Sequence, residues 1–451
     1  MKITFLGATE TVTGSKFLVQ TESTTVLVDC GLYQGYKSLR ERNRQSLPIA
    51  ADAIDAVLLS HAHLDHSGYI PVLYKQGFRG PVYTHEATKT LCAVLLADSG
   101  HLQEEDARYY RKHGIGKHPN PEPLYTRNDA IQSLSLFNAI EFDSPLSIGD
   151  ITLFFQPAGH ILGAASIIIE ADGKRVGFSG DIGQPNDVFM FPPVSLPDLD
   201  VLLLESTYGN RRHQISDPFT QLEEVINSTA EKGGAVLIPS FAVGRAQAMM
   251  HLISELQKQQ RIAKLPVYLD SPMAINVADI YCRHSEYHRL SHQQCQELCD
   301  VATYVHSVEE SKALAEIRYP HIIIAGSGMA TGGRILHHLK RLLPDHRTTV
   351  LFTGYQAGGT RGEKLVSGET NIKIHNQWIP NRSRTVVLEG LSGHGDYLDI
   401  AQWLIHSKLS ESTSIELVHG EPAALEKMRD HLKMTTPFNV NIATYQQTLT
   451  I

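Results

Sequence analysis

His61, His63, Asp65 and His66 stand together in the run SHAHLDHSG, directly after the apolar stretch AIDAVLLS. Imidazole and carboxylate are the ligands that borderline Zn²⁺ takes up, and here they sit at the mouth of a predicted buried strand. Alternate side chains of an extended segment point the same way, so His61 and His63 would face one ion. Asp65 and His66 then turn into the next helix and would face a second ion nearby. The plainer reading is a histidine-rich turn without metal. It would leave polar groups unpaired beside a core, which is costly.

Six further residues finish apolar strands in the same manner. Asp29 ends TTVLVDCG, His160 ends LFFQPAGH and Asp181 ends VGFSGD. Glu205 ends VLLLES, His394 lies in LSGHGD, and His419 ends IELVHG. Ligands in open sheets collect beyond the strand carboxyl ends, where loops carry reactive groups without disturbing the core. Taken singly, each residue reads more plainly: a strand-terminal Asp caps a turn, and a lone His is a satisfied surface or core residue. Six together with the HxHxDH run favour chemistry.

The elements that must position these groups fall into three stretches, and the chain of 451 residues is long for one core. Residues 1–207 are strand-rich, with MKITFLGATETVTGSKFLVQ reading as two strands about a polar turn and a hairpin turn at Ala171-Asp172-Gly173. Residues 208–381 alternate strand and helix (GGAVLIPS then GRAQAMMHLISELQKQQ, PHIIIAGSG then GRILHHLKRLL), which predicts βα repetition with a parallel sheet. From 382 to 451 short strands return, RTVVLEGLSGHGD and SIELVHGE, each followed by a helix.

Composition narrows the class. A 42% hydrophobic and 20% charged chain is an ordinary globular one, and its 23 histidines suit metal handling. No charged-then-apolar leader opens it and no apolar run approaches the ~20 residues that span a bilayer. The five cysteines, Cys30, Cys92, Cys282, Cys295 and Cys299, give no disulfide framework. Cys295 and Cys299 could share a helix face, but two thiols do not close a zinc site. The expectation is a reduced, cytoplasmic protein without membrane contact. A net charge of −8 argues against non-specific nucleic-acid binding by the whole surface. It leaves room for one nucleic-acid site, since bound zinc adds positive charge and arginines cluster locally at 211–212, 334–341 and 382–384.

These motifs, in this order, resemble the metallo-β-lactamase superfamily and, within it, the β-CASP RNA-processing nucleases that include the cleavage factor of mRNA 3′-end formation. Asp29 matches the first acidic position, His61-Ala-His63-Leu-Asp65-His66 the HxHxDH signature, His160 the third motif and Asp181 the fourth. Glu205 in LLLEST matches β-CASP motif A, His394 in SGHGD motif B and His419 in VHGE motif C. HxHxDH alone marks only the superfamily; the three further motifs carry the narrower resemblance.

The resemblance implies an αββα sandwich with an inserted β-CASP α/β domain whose sheet is mostly parallel. It implies two Zn²⁺ ions: His61, His63 and His160 on one, Asp65, His66 and His419 on the other, Asp181 bridging them and Asp29 orienting a ligand histidine from behind. Such a pair, about 3.5–4 Å apart, generates hydroxide and stabilises an in-line displacement. Glu205 and His394 would be the general-acid pair, the carboxylate keeping the imidazole protonated, and Asp65 would serve catalysis as well as metal. The substrate would be single-stranded RNA passing between the two domains, cut internally, with 5′-exonucleolytic trimming open to the same groups. Homodimers are common among relatives.

Glycine-rich loops would hold phosphates. SFAVGRAQ (Ser240, Arg245) and GSGMATGGR (Ser327, Gly328, Thr331, Arg334) each follow a strand and open a helix, where free N–H groups bind anions. Either loop could equally be a tight turn. In GYQAGGTRGEKL the resembling family commonly has Arg where this chain has Glu363, so Glu363 is doubtful as an RNA contact. The segment Ala107–Asp129, with Tyr109, Tyr110, Arg111, Lys112, His113 and Tyr125, would either overhang the site or pack as a surface loop. Motif B reads SGHGD where relatives often have SAHAD, keeping the histidine and aspartate. Rival readings remain a β-CASP DNA nuclease, which usually lacks the motif C histidine, and a small-molecule metallo-hydrolase, which needs no domain of this kind.

Overall fold

The computed structural model describes residues 1–113, 121–213, 217–354, 356, 358–388 and 390–451. They form two compact units: Met1–Asn186, Met190–Arg212 and His394–Ile451 make the first, Asp187–Phe189 and His213–Gly393 the second.

The first unit holds two seven-stranded sheets. One runs in the order Thr448–Thr450, Lys2–Phe5, Phe17–Gln20, Thr25–Val28, Ala56–Leu58, Val82–His85, Phe137–Ile140. The other runs Asn439–Ile442, Ser414–Val418, Val201–Glu205, Lys174–Phe178, Ala165–Ala171, Ile151–Pro157, Leu146–Ile148. Alternate residues of each strand meet between the sheets: Ile3, Phe5, Val26, Val28 and Leu58 from one, Leu153, Phe155, Ile167, Ile169, Phe178 and Leu203 from the other. Val201–Glu205 and nearly all of Ala165–Ala171 are buried on both faces, hence their unbroken apolar reading. The outer faces take helices such as Glu86–His113 and Pro422–Thr435, which buries Leu425, Met428 and Leu432. This is an αββα sandwich.

Pairing decides where strand ends fall. Val201–Glu205 runs parallel to Lys174–Phe178 and to Ser414–Val418, with Glu205 opposite Val418. Thr25–Val28 runs parallel to Ala56–Leu58, with Val28 opposite Leu58. The residues following these strands therefore emerge at common edges. Two of them, Asp29 and His419, turn the chain with φ of 56° and 51°, a conformation uncommon outside glycine and worth relating to function.

The second unit has one six-stranded, wholly parallel sheet in the order Thr303–Tyr304, Val267–Asp270, His321–Ala325, Ala235–Pro239, Thr349–Phe352, Arg384–Val387. Its helices start where the sequence supplies caps: Asp217 for Pro218–Glu231, Ser271 for Pro272–Arg283 and Ser291 for His292–Asp300. Because Arg384–Val387 is a strand of this sheet, the second unit extends to Gly393, past the position 381 read from the sequence. The strand is too short and plain for its sheet to be read from its residues.

Part of the Ala107–Asp129 segment, residues 114–120 with the His113 side chain, lies outside the described residues, as do Tyr355 and Ala357 of the GYQAGGTRGEKL loop. Of the rest, Tyr125 is fully buried and its hydroxyl donates to Ser99 Oγ at 2.7 Å, while Tyr109 and Tyr110 are exposed. Among the described residues no helix is long and apolar enough to cross a membrane.

Candidate active site

All seven residues expected to hold metal, with Asp29, Glu205 and His394, lie in the first unit. His63 is the N-cap of the short helix Leu64–Ser67, which places Asp65 and His66 in its first turn. His160 sits in the connection between Ile151–Pro157 and Ala165–Ala171. His394 precedes the helix Tyr397–His406 by two residues of loop capped by Asp396, whose carboxylate accepts from Leu398 N at 2.8 Å and Asp399 N at 3.0 Å. The aspartate of SGHGD thus fixes the loop that carries the histidine.

The side chains converge as two groups sharing one carboxylate. In the first, His61 Nε2 is 3.2 Å from His63 Nδ1, and His160 Nε2 is 3.1 Å from the same atom. Asp181 Oδ2 lies 3.4 Å from His61 Nε2 and 3.5 Å from His160 Nε2. In the second, His66 Nε2 is 3.1 Å from His419 Nε2 and 3.3 Å from Asp181 Oδ1, and Asp65 Oδ2 is 3.5 Å from His419 Nε2.

Whether these residues fit a metal can be tested on their spacing. Imidazole nitrogens about 2.0–2.1 Å from a tetrahedral zinc stand about 3.3 Å apart, which is the spacing seen. A hydrogen-bond network would fit less well, because each contact would need its own proton. Asp181 Oδ1 is buried with no hydrogen bond, an arrangement that is costly unless a cation occupies the gap. The two oxygens of Asp181 face different groups, as a bridging ligand requires.

Electrostatics agree at three of the histidines. Burial pushes His61 and His160 down, and His63 to about 3, so these rings stay neutral and able to ligate. Burial opposes charge on His66 too, but Asp181 and Asp29 outweigh it and raise its pKa well above the ordinary value. Asp29 Oδ2 accepts from His66 Nδ1 at 2.7 Å, which turns Nε2 toward the cluster. Asp65 and Asp181 are held well below the carboxylate range, the surrounding imidazoles overcoming the burial.

Beside the cluster, His394 Nδ1 is 3.0 Å from Glu205 Oε1, and its Nε2 is 3.9 Å from Asp181 Oδ2. Glu205 is fully buried and is itself fixed by Ile182 N at 2.9 Å and Thr207 N at 3.0 Å. Burial disfavours the His394 cation, yet Glu205 and Asp181 raise its pKa to about 8.

Three supporting residues escaped the sequence reading. Ser60 donates through N and Oγ to Asp29, at 2.8 and 3.0 Å. Thr207 Oγ1 is 3.1 Å from His419 Nδ1. Lys16, only 2% exposed, bonds the Gly31 carbonyl and lies over the Tyr33 and Tyr69 rings, and burial lowers it to about 8. Ser60 and Thr207 stand inside the quoted motifs, and a hydroxyl beside a ligand is the signal that could have flagged them.

The expected phosphate loops lie in the second unit. Ser240 is buried at the end of Ala235–Pro239, and Arg245 opens the helix Arg245–Lys258. The GSGMATGGR loop differs from expectation. Its Thr331 and Gly332 N–H groups donate to Ser327 Oγ, at 3.1 and 3.4 Å, so the loop's own hydroxyl takes up groups expected to be free. Arg334 precedes the helix as its N-cap and turns inward: Nη1 donates to Asp270 Oδ1 at 2.6 Å and the guanidinium also bonds the Val305 and His306 carbonyls. Gly328 packs under Phe241, whose ring a Cβ there would strike, and Phe241 is exposed. Glu363 sits in the first turn of the helix Arg361–Val366, its N–H capped by Thr360 Oγ1.

A sandwich bearing a His/Asp cluster at its strand ends, joined to a parallel α/β unit, defines a class of metal-dependent hydrolase. The chain belongs to the metallo-β-lactamase superfamily, in its β-CASP branch: the superfamily model matches residues 12–219, the Beta-Casp domain 246–365, and the Zn-dependent metallo-hydrolase RNA specificity domain 378–443. Ribonuclease TTHA0252 of Thermus thermophilus is 35% identical over 436 residues, covering 94% of each chain. Transcription termination factor FttA of Methanocaldococcus jannaschii is 33% identical over 93% of this chain and 67% of its own. An RNase J-like protein of the same archaeon is 31% identical over 92% of each. The crystal structure of a protein of unknown function from Enterococcus faecalis V583 superposes with a TM-score of 0.56 at 14% identity, covering 100% of this chain and 99% of that one, which shows the fold. The superfamily implies a divalent metal, and the clusters above are where it would bind.

Proposed function

We propose that the chain is a zinc-dependent ribonuclease that hydrolyses phosphodiester bonds of single-stranded RNA in the cytoplasm, cutting internally. The observation that carries this reading is the contact of His394 with buried Glu205 at 3.0 Å, beside a His/Asp cluster with metal-ligand spacing. His61, His63, His160 and Asp181 would hold one Zn²⁺, and Asp65, His66, His419 and Asp181 the other. Two zinc ions there would supply a nucleophile from water at neutral pH and stabilise charge on the phosphate oxygens.

The chain's own groups do the rest. Asp29 holds His66 through Nδ1 and Thr207 holds His419 through Nδ1, so the Nε2 atoms stay aimed at the cluster. Glu205 fixes the His394 ring and favours its cation, and His394 Nε2 would give a proton to the leaving oxygen. Its side chain is 19% exposed where Glu205 is 1%, as a proton donor to a bound substrate must be. In the second unit, Ser240, Arg245, Ser327, Gly328 and Thr331 would contact RNA phosphates. Arg334 would shape that loop from behind rather than touch phosphate.

The test is zinc-loaded protein with internally labelled single-stranded RNA and a matched DNA, resolved on a sequencing gel with His394→Ala as control. Discrete RNA fragments that vanish in the control are expected; mononucleotides would mean 5′-exonucleolytic trimming by the same groups. Cleavage of the DNA alone, or intact RNA beside hydrolysis of a small ester, would overturn the reading.

A further inference from the structure

Three of the five cysteines meet in the second unit, apart from every residue used above. Cys282 lies on the helix Pro272–Arg283, and Cys295 and Cys299 on His292–Asp300. Cys282 Sγ is 3.1 Å from Cys299 Sγ and 3.3 Å from the Cys295 carbonyl oxygen. All five thiols are free; Cys282 and Cys299 are half-buried, whereas Cys30 and Cys92 are fully buried.

A metal site is the first alternative, and the nearby imidazole argues against it. His288 Nε2 is 3.0 Å from the Tyr281 carbonyl, to which it donates, and Nδ1 accepts from Leu290 N at 3.2 Å. With both nitrogens used, His288 has no lone pair for a metal, and Cys295 Sγ is 3.8 Å from that same Nε2. Among the described residues, these thiols do not form a trio whose ligand atoms lie mutually within 4.8 Å. A thiol pair needs less. Its sulfur atoms stand only about 1 Å farther apart than in a disulfide, where they are about 2.05 Å apart.

We propose that Cys282 and Cys299 form a dithiol that hydrogen peroxide oxidises to a disulfide, with Cys299 as the attacking sulfur and Cys282 as the resolving one. Cys299 suits its role because its sulfur is half-buried and 3.1 Å from Cys282 Sγ, whereas the Cys295 thiol is buried away from a peroxide in solution. Its thiolate attacks one peroxide oxygen, the O–O bond breaks, and the departing hydroxide takes a proton to become water. Cys282 sulfur then attacks the sulfenic sulfur; the S–S bond forms, the S–O bond breaks, and the hydroxyl leaves as water with the Cys282 proton. Two thiols lose two electrons and one peroxide becomes two waters. The product ties together two helices that already pack against each other.

The experiment treats the full chain with hydrogen peroxide, alkylates it in denaturant and maps the peptides. The expected result is three alkylated cysteines in place of five and a linked peptide pair carrying Cys282 and Cys299, both reversed by dithiothreitol. Cys295→Ser should form the same link. Cys282→Ser should instead leave a sulfenic acid on Cys299 that a 1,3-dione captures. Five alkylated cysteines after peroxide, or a link made through Cys295, would overturn the proposal. Should either serine variant fail to fold, the map of the unmodified sequence decides by itself.

Discussion

The two units each bury a cluster of charged side chains, and the clusters are built on opposite plans. In the second unit Asp270 accepts at both oxygens: Arg334 Nη1, His338 Nε2 and Ser311 Oγ each lie 2.6 Å away. Every one of these contacts joins a donor to an acceptor. In the first unit imidazole nitrogens stand 3.1–3.2 Å from one another and a buried carboxylate oxygen has no hydrogen bond. Buried polar groups are normally satisfied, so the two patterns separate a knot that completes itself from a set of ligands that requires something added. Residue type alone would not have told them apart, since both contain His and Asp.

The largest effect that would break this contrast is on Asp181, whose oxygens face both halves of the cluster. Asp181→Ala is expected to lose the two-metal complement and all cleavage above background, read by metal analysis of the purified variant. A variant retaining two ions per chain would return the first cluster to the class of self-satisfied networks.

His394 sharpens the contrast from inside the first unit, because it pairs with Glu205 as a donor with an acceptor yet flanks the ligand set. His394→Ala should keep its metal and lose about 10²–10⁴-fold in cleavage rate, the range a general acid contributes. The pH profile tests the same role. His394 is raised to about 8, so its acid form is complete well below that value and is lost as pH rises through it. Cleavage should fall along an alkaline limb near 8, and Glu205→Gln, which removes the stabilising charge, should move that limb to lower pH. Loss of metal in His394→Ala would show the residue to be a ligand instead.

A smaller loss is expected where a ligand is only oriented. Asp29→Asn leaves His66 in place with a weaker partner, and metal affinity should drop by about 10–100-fold, measured by competition with a chelator. An unchanged affinity would mean that the 2.7 Å contact serves the fold and not the ion.

How much of this was readable follows from where the information sits. HxHxDH and the strand-end residues were legible because each lies where an apolar run stops, and that boundary is local. The partners of Asp270 were not, since Ser311 lies on one helix and Arg334 and His338 at the start of another, each in a different strand–helix repeat from Asp270, and only the parallel sheet brings them together. Arg334 illustrates the cost: at a helix start beside a glycine-rich loop it reads as an anion contact, but an aspartate 64 positions away draws it inward. Strand Arg384–Val387 could not be given a sheet from its residues for the same reason, its membership being fixed by pairing with Thr349–Phe352. Thr207 and Ser60 were visible as letters but not as supports, because any hydroxyl after a strand looks alike.

Asp270 therefore gives the change with the smallest effect on cleavage, and the one that tests the other half of the contrast. Its carboxyl is held below the ordinary range, His338, Ser311 and Arg334 outweighing a burial that would raise it. Asp270→Asn keeps the shape and removes the charge, so it should cost the second unit about 2–3 kcal/mol, as for a lost charge-assisted hydrogen bond, while metal content stays at the unsubstituted level. A carboxylate with a depressed folded pKa stabilises above its unfolded value of about 3.9 and loses that contribution as pH falls through the folded one. The difference in unfolding midpoint between Asp270→Asn and the unsubstituted chain should accordingly be full at neutral pH and shrink below about pH 4. A difference that persisted undiminished into acid would mean that the knot is held by shape and packing, and that its matched charges are incidental to it.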